Sequence, residues 1–152
     1  MIREATLSDI PRVLELSKAL FLDPSSSSDV YANTEWPMTD VGKEAFEGAL
    51  QDGFLWVAEA ESEVVGFICA EVSPELDWRP IKRVELLSFY ITPDHRSEGF
   101  GAQLVEKLTE WSKAQGAKLI FVSAYTDNER GIDFYKKMGF HDYAVELEKD
   151  LE

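Results

Sequence analysis

Apolar residues along this chain recur at two periods, and the period changes where glycine, proline and serine cluster. Ile10, Val13, Leu14, Leu16 and Leu20 repeat at helical spacing, behind Thr6 and Asp9 placed as a capping pair. A short strand at Ile2–Thr6 and a helix to about Phe21 are expected there. The stretch from Asp23 to Thr39 breaks the pattern with two prolines and four serines. A loop this long is normally functional or disordered. Asp40 to Gln51 returns to helical spacing through Val41, Ala45, Phe46, Ala49 and Leu50.

The middle of the chain is β-prone. Phe54–Glu61 and Val64–Val72 read as a hairpin turned at Glu61-Ser62-Glu63. Gly66 inside it signals a bulge or a close backbone approach. A loop over Pro74–Pro80 leads to a strand at Lys82–Ile91. A helix from Phe100 to Gln115 ends at Gly116, and Leu119–Val122 is a short buried-type strand. Strand, helix and strand make a crossover, so those two strands should pair in parallel. Asn128 opens a further helix through Ile132, Phe134, Tyr135 and Met138, which Gly139 ends. Phe140–Leu147 reads as a last strand. The order is β-α-α-β-β-β-α-β-α-β, with no internal repeat or linker, so residues 1–152 are expected to form a single domain.

The junction between Ile91 and Ala102 organises this pattern. A strand feeds a tight turn with Gly99 and Gly101, and the turn opens a helix. Backbone N–H groups at the positive end of a helix dipole suit an anion such as a pyrophosphate. Glycine lets the backbone approach such a ligand without a Cβ in the way, and Arg96 adds a positive charge.

Composition narrows the classes. With 152 residues, 45% hydrophobic and 29% charged, the chain is large enough for a sizeable core. A net charge of −14 argues against nucleic acid and anionic membrane partners; it either attracts cationic substrates or serves solubility alone. There is no apolar run long enough to span a membrane and no leader pattern at Met1–Ala5. Cys69 is the only cysteine, which excludes an internal disulfide and fits a cytoplasmic setting. No Cys/His spacing suggests a metal site.

Two stretches carry a resemblance. Arg96-x-x-Gly99-x-Gly101 resembles the Arg/Gln-x-x-Gly-x-Gly/Ala motif of the GCN5-related N-acetyltransferase (GNAT) superfamily. Residues Asn128 to Phe140 resemble that family's Asn-x-x-Ala-x-x-Phe-Tyr-x-x-x-Gly-Phe, with Gly131 in place of the alanine. The resemblance implies an α/β (α+β) acyl-CoA N-acyltransferase fold. Its mixed, mostly antiparallel central sheet is flanked by helices and contains one parallel, splayed strand pair. It also implies direct transfer of an acetyl group from acetyl-CoA to a primary amine, and it allows a homodimer.

The family's roles fall on particular positions here. Arg96, Ser97, Glu98, Gly99, Phe100, Gly101 and Ala102 would hold the pyrophosphate, mainly through backbone N–H groups. Phe89, Tyr90 and Ile91 would bond the pantetheine arm through their backbone, as an added strand. Asn128 matches a coenzyme contact and also suits a helix cap. Tyr135 matches the general acid that protonates the leaving thiolate. Glu85 matches the base of the histone-acetyltransferase branch; in an apolar strand its pKa would rise to a useful range, unless it faces solvent or pairs with Lys82 or Arg83. A strand bulge would change its face. Trp36 and Trp78 lie in the loops expected to border the acceptor, as cation-binding indoles or as loop anchors.

The leading expectation is therefore transfer to a small, cationic amine. A protein N-terminal or lysine acetyltransferase is the enzymatic alternative. A non-catalytic CoA-binding sensor or interaction module is the alternative from another class.

Overall fold

The computed structural model describes residues 1–26 and 29–152, so Ser27 and Ser28 of the expected serine loop lie outside it. Strand β1 covers Ile2–Glu4, and helix α1 covers Ile10–Leu22. Between them, Thr6 and Asp9 form a capping box around a single 3-10 turn; the Thr6 N–H donates to Asp9 Oδ2 at 2.8 Å. Arg3 reaches the same carboxylate at 2.8 Å, which holds Asp9 below its usual pKa and locks β1 to the start of α1. Helix α2, Asp40–Asp52, is capped by Thr39, whose hydroxyl accepts from the Gly42 N–H.

Strands β2 (Phe54–Ala60), β3 (Glu63–Val72) and β4 (Arg83–Ile91) form an antiparallel meander with β1. Helix α3, Phe100–Ala114, crosses to strand β5, Leu119–Phe121, which pairs with β4 in parallel. Helix α4 covers Glu129–Lys137. The sheet order is β1-β2-β3-β4-β5.

Apolar residues alternate across this sheet and build a core on each face. One core joins Val13, Leu16 and Phe46 of α1 and α2 to Val57, Phe67 and Cys69. The other joins Leu104, Val105 and Leu108 of α3 to Ile68, Val84 and Leu86. Gly66 is a close approach, as expected, because a Cβ there would meet the Tyr90 carbonyl and the Ile91 side chain. One expected element is corrected. Among the described residues, Phe140–Leu147 forms no strand, and residues 141–152 are all exposed. Backbone pairing, which the alternation of side chains cannot itself create, is missing there.

Candidate active site

Strand β4 changes character at its middle. Cys69 pairs with Ser88 and Ala70 with Leu86, so Leu87 is a bulge residue without a partner on β3. The bulge shifts the alternation. Val84 and Leu86 before it, and Phe89 and Ile91 after it, all belong to the α3-side core, whereas Tyr90 turns to the α1 side. Glu85 and Arg83 therefore share the α1 side of the sheet with Glu71, which lies directly opposite Glu85.

On its other flank, β4 pairs with β5 only through Arg83, Val84 and Glu85. Beyond Glu85 the two parallel strands part. Leu86 to Ile91 thus present one edge to a slot rather than to a neighbouring strand. An open backbone edge of this kind can take an extended ligand as if it were another strand.

At the end of the slot, the chain makes a single 3-10 turn over Pro93–His95 and enters α3 through two left-handed residues. Ser97 has φ +73° and Gly99 φ +86°. Only glycine takes such a value without strain; at Ser97 the surrounding turn must impose it. Gly99 is the N-cap of α3 and supplies no side chain to the first N–H groups of the helix. These donors, next to alternating left-handed residues, form an anion cradle. Ser97 and Glu98 have exposed side chains, and Glu98 lies 3.0 Å from His95 Nδ1.

Arg96 points its guanidinium back into the protein. Its Nε donates to the Ile91 carbonyl at 2.8 Å, and Nη2 reaches Asp23 at 3.1 Å. The pair braces the turn against the end of α1. Sequence reasoning missed two neighbours. Arg130 belongs to the same electrostatic cluster, its pKa lowered by burial and by Arg96. Thr92 carries a buried hydroxyl with no partner among the described residues. Neither position differs locally from an ordinary helix arginine or strand-end threonine.

Gly101 sits in a tight place for a different reason. A Cβ there would press on the Phe89 ring at 3.1 Å and the Phe134 ring at 3.3 Å. Those two rings stack, 5.5 Å apart, and they carry α4 onto the slot edge of β4. Tyr135 follows, with Phe89 at 6.3 Å and Phe140 at 5.4 Å. Burial among these rings pushes its phenol up to about 12, so it stays protonated at neutral pH and can donate a proton. Phe100 packs at the margin of the same core.

Asn128 caps α4, accepting from the Gly131 N–H at 3.0 Å. A Cβ at Gly131 would lie within 2.8 Å of the Asn128 carboxamide. Glycine here makes room for the cap, which offsets the looser helix its composition implies.

Glu85 has a raised pKa, first through burial and then through Glu71, with Arg83 opposing. The two expected indoles are not equivalent. Trp36 is flanked by Phe21 and Phe46, each ring 6.5 Å away, and its contacts are those of a loop anchor. Trp78 is 73% exposed, in the loop closed by the Leu76–Arg79 bridge. Among the described residues no group of His, Cys, Asp and Glu could hold a metal, and no helix is long and apolar enough to cross a membrane.

An unpaired strand edge beyond Glu85 thus lies next to a helix start that has no side-chain cap bond. The profile of the acetyltransferase (GNAT) family matches residues 10–140, so the chain belongs to that family of transferases. The chain is 29% identical over 146 residues to an L-methionine sulfoximine/L-methionine sulfone acetyltransferase of Pseudomonas paraeruginosa, covering 91% of this chain and 78% of the relative. It is 28% identical over 95 residues to an uncharacterized N-acetyltransferase of Methanocaldococcus jannaschii, with 62% of this chain and only 42% of that relative covered. Its fold is also that of AAC(6')-Iy solved with the bisubstrate analog CoA-S-monomethyl-acetylneamine: TM-score 0.72, 20% identity, 99% of this chain and 97% of the other.

Proposed function

We propose that this protein is an acetyl-CoA-dependent N-acetyltransferase that acetylates the primary amine of a small acceptor by direct transfer in a ternary complex. The observation that carries this reading is the half-open strand β4. It offers a free backbone edge from Leu86 to Ile91, ends in the cradle at Ser97–Ala102, and has the protonated phenol of Tyr135 on one side.

In this reading the cradle binds the pyrophosphate, and Phe89, Tyr90 and Ile91 bond the pantetheine arm. Arg96 keeps the turn in shape, and Asn128 holds the start of α4. An amine must be neutral to attack, and Glu85, on the opposite face from Tyr135, takes its proton directly or through water. The amine nitrogen bonds the thioester carbonyl carbon and then loses its second proton to solvent, the carbon–sulfur bond breaks, and Tyr135 gives its proton to the departing thiolate. The proton taken by Glu85 returns through solvent to the phenolate, so the cycle closes.

A cationic acceptor fits the charge of −14, the Glu71–Glu85 pair and the exposed indole of Trp78. The methionine sulfoximine relative adds a second reading, an acceptor of amino-acid type. Cys69, buried with its thiol pushed up to about 12, takes no part and suits a cytoplasmic setting. The test is thiol release from acetyl-CoA against a panel of polyamines, aminoglycosides and amino acids. Release that depends on one of these amines supports the reading. Release only with peptides would move the function to a protein acetyltransferase, and binding without release would make the protein a coenzyme sensor.

A further inference from the structure

The first half of β4 carries charges that the protein leaves unmatched. Glu71 on β3 lies directly opposite Glu85, and Phe121 on β5 lies opposite Glu85 on the other flank. The three make one row across the sheet. Arg83, two residues before Glu85, shares their face, and its guanidinium stands 4.6 Å over the Phe121 ring. Along that row the charges run negative, negative, positive.

None of these groups finds a partner among the described residues. Carboxylates directly opposite on neighbouring strands, with Cβ atoms about 5 Å apart, repel each other. Glu71 and Glu85 nevertheless face one another with no ion pair or hydrogen bond to either side chain among the described residues. Arg83 stands where it could pair with Glu85 and does not. Its guanidinium turns to the ring, and its Nε is buried with no partner among the described residues. A buried donor left unpaired is costly. The chain holds 29 acidic residues against 15 basic ones, so a shortage of carboxylates does not explain it. The aromatic face keeps the guanidinium in place, and its planar fork suits a carboxylate bound through two parallel N–H bonds.

Net charge alone would select a polycation, and a polycation has no use for Arg83. A zwitterion complements the whole row. We infer that the acceptor is a free α-amino acid, with its carboxylate on Arg83 and its amine between Glu71 and Glu85; this rests on the transferase reading above. Neighbouring strands lie about 4.8 Å apart, a reach that suits an amine and a carboxylate carried on one carbon. Arg83 and Glu71 bind, and Glu85 keeps its place as base. The acetyl carbon leaves sulfur and bonds the α-nitrogen. The ammonium gives up one proton to Glu85 and one to solvent, and the thiolate takes its proton from Tyr135. The N-acetyl product keeps its carboxylate but has lost its ammonium, so Glu71 and Glu85 no longer hold it.

Calorimetric titration of the coenzyme A-loaded protein tests this without turnover. The probes are free L-amino acids, each set against its own carboxamide, which keeps the amine and the side chain and removes the negative charge. At least one free acid should bind about ten- to a hundredfold tighter than its amide. Arg83→Gln should bring that ratio to about one, and Arg83→Lys, which keeps the charge without the fork, should retain part of it. Glu71→Gln should weaken acid and amide alike. Amides or polyamines that bind as tightly as the acids overturn the inference, and so does the absence of binding by any acid. A preference that survives Arg83→Gln also overturns it, because the carboxylate then sits elsewhere. If Arg83→Gln fails to fold, the wild-type ratio and Arg83→Lys decide. Failure of the transferase reading is separate: no amine then gives thiol release from acetyl-CoA, whatever the acid-to-amide ratio in binding.

Discussion

The two halves of β4 carry the same kind of sequence and live in different surroundings. Val84 and Glu85 are paired on both flanks, by β3 and by β5. Phe89 to Ile91 is paired by β3 alone. The doubly paired half is a platform: it fixes Glu85 toward the α1 side and raises its pKa through burial. The singly paired half is an edge, and edges bind. The Leu87 bulge separates the two and turns the strand so that Phe89 and Ile91, rather than Tyr90, continue the α3-side core. In the proposed function a single strand thus divides labour between chemistry on the acceptor and grip on the coenzyme.

That division makes separable predictions. The largest effect is expected from Gly99→Val. A β-branched residue at φ +86° costs at least about 1–2 kcal/mol and puts bulk into the cradle. The Kd for acetyl-CoA should weaken by roughly a hundredfold, measured calorimetrically. Next comes Tyr135→Phe, which removes the proton donor but keeps the ring among Phe89, Phe134 and Phe140. Here kcat should fall about a hundredfold, with coenzyme affinity unchanged. A loss confined to affinity would remove the acid role.

Glu85→Gln acts on the other half. It should lower kcat/KM by roughly ten- to a hundredfold without changing coenzyme binding. In the wild type, Glu85 must be ionised to serve as base, and burial raises its pKa. Activity should therefore fall as pH drops through a value raised above that of a free glutamate, and the variant should lack that acid limb. The stability sign is the reverse. A carboxylate whose folded pKa is raised favours the folded state at low pH and loses that contribution as pH rises through the folded value. Glu85→Gln should then be slightly more heat-stable than wild type at neutral pH.

The smallest effect tests the α4 cap. Alanine at Gly131 would favour the helix by propensity, but its Cβ meets the Asn128 carboxamide. The cap is worth about 1 kcal/mol, about what alanine gains by propensity, so Tm should stay within about 2 °C of the wild type. A larger rise in Tm would show that the cap is dispensable.

Much of this was legible in the residues. The turn at Arg96–Ala102, the crossover after it and the capped helix at Asn128 follow from glycine placement, helical spacing and polar caps. Tyr135 was singled out by a local motif; packing placed Phe134 and Phe140 around its ring. Arg96 was legible as a member of the turn. Its inward bond to Ile91 and its pairing with Asp23 were not, since Asp23 lies at the far end of α1. Trp36 and Trp78 looked alike as loop tryptophans, and packing alone separated the anchored ring from the exposed one.

The sequence by itself determined every expected element but the last, and their order, because these depend on residues within a few positions of one another. Tertiary structure decided what depends on register and pairing across the sheet. It set the face of Glu85 through a bulge opposite Cys69 and Ala70, and the opening of the slot beyond Glu85. It also left residues 141–152 outside the sheet although their alternation is that of a strand. Alternation specifies which side chains share a face; only a neighbouring backbone can make a strand of them.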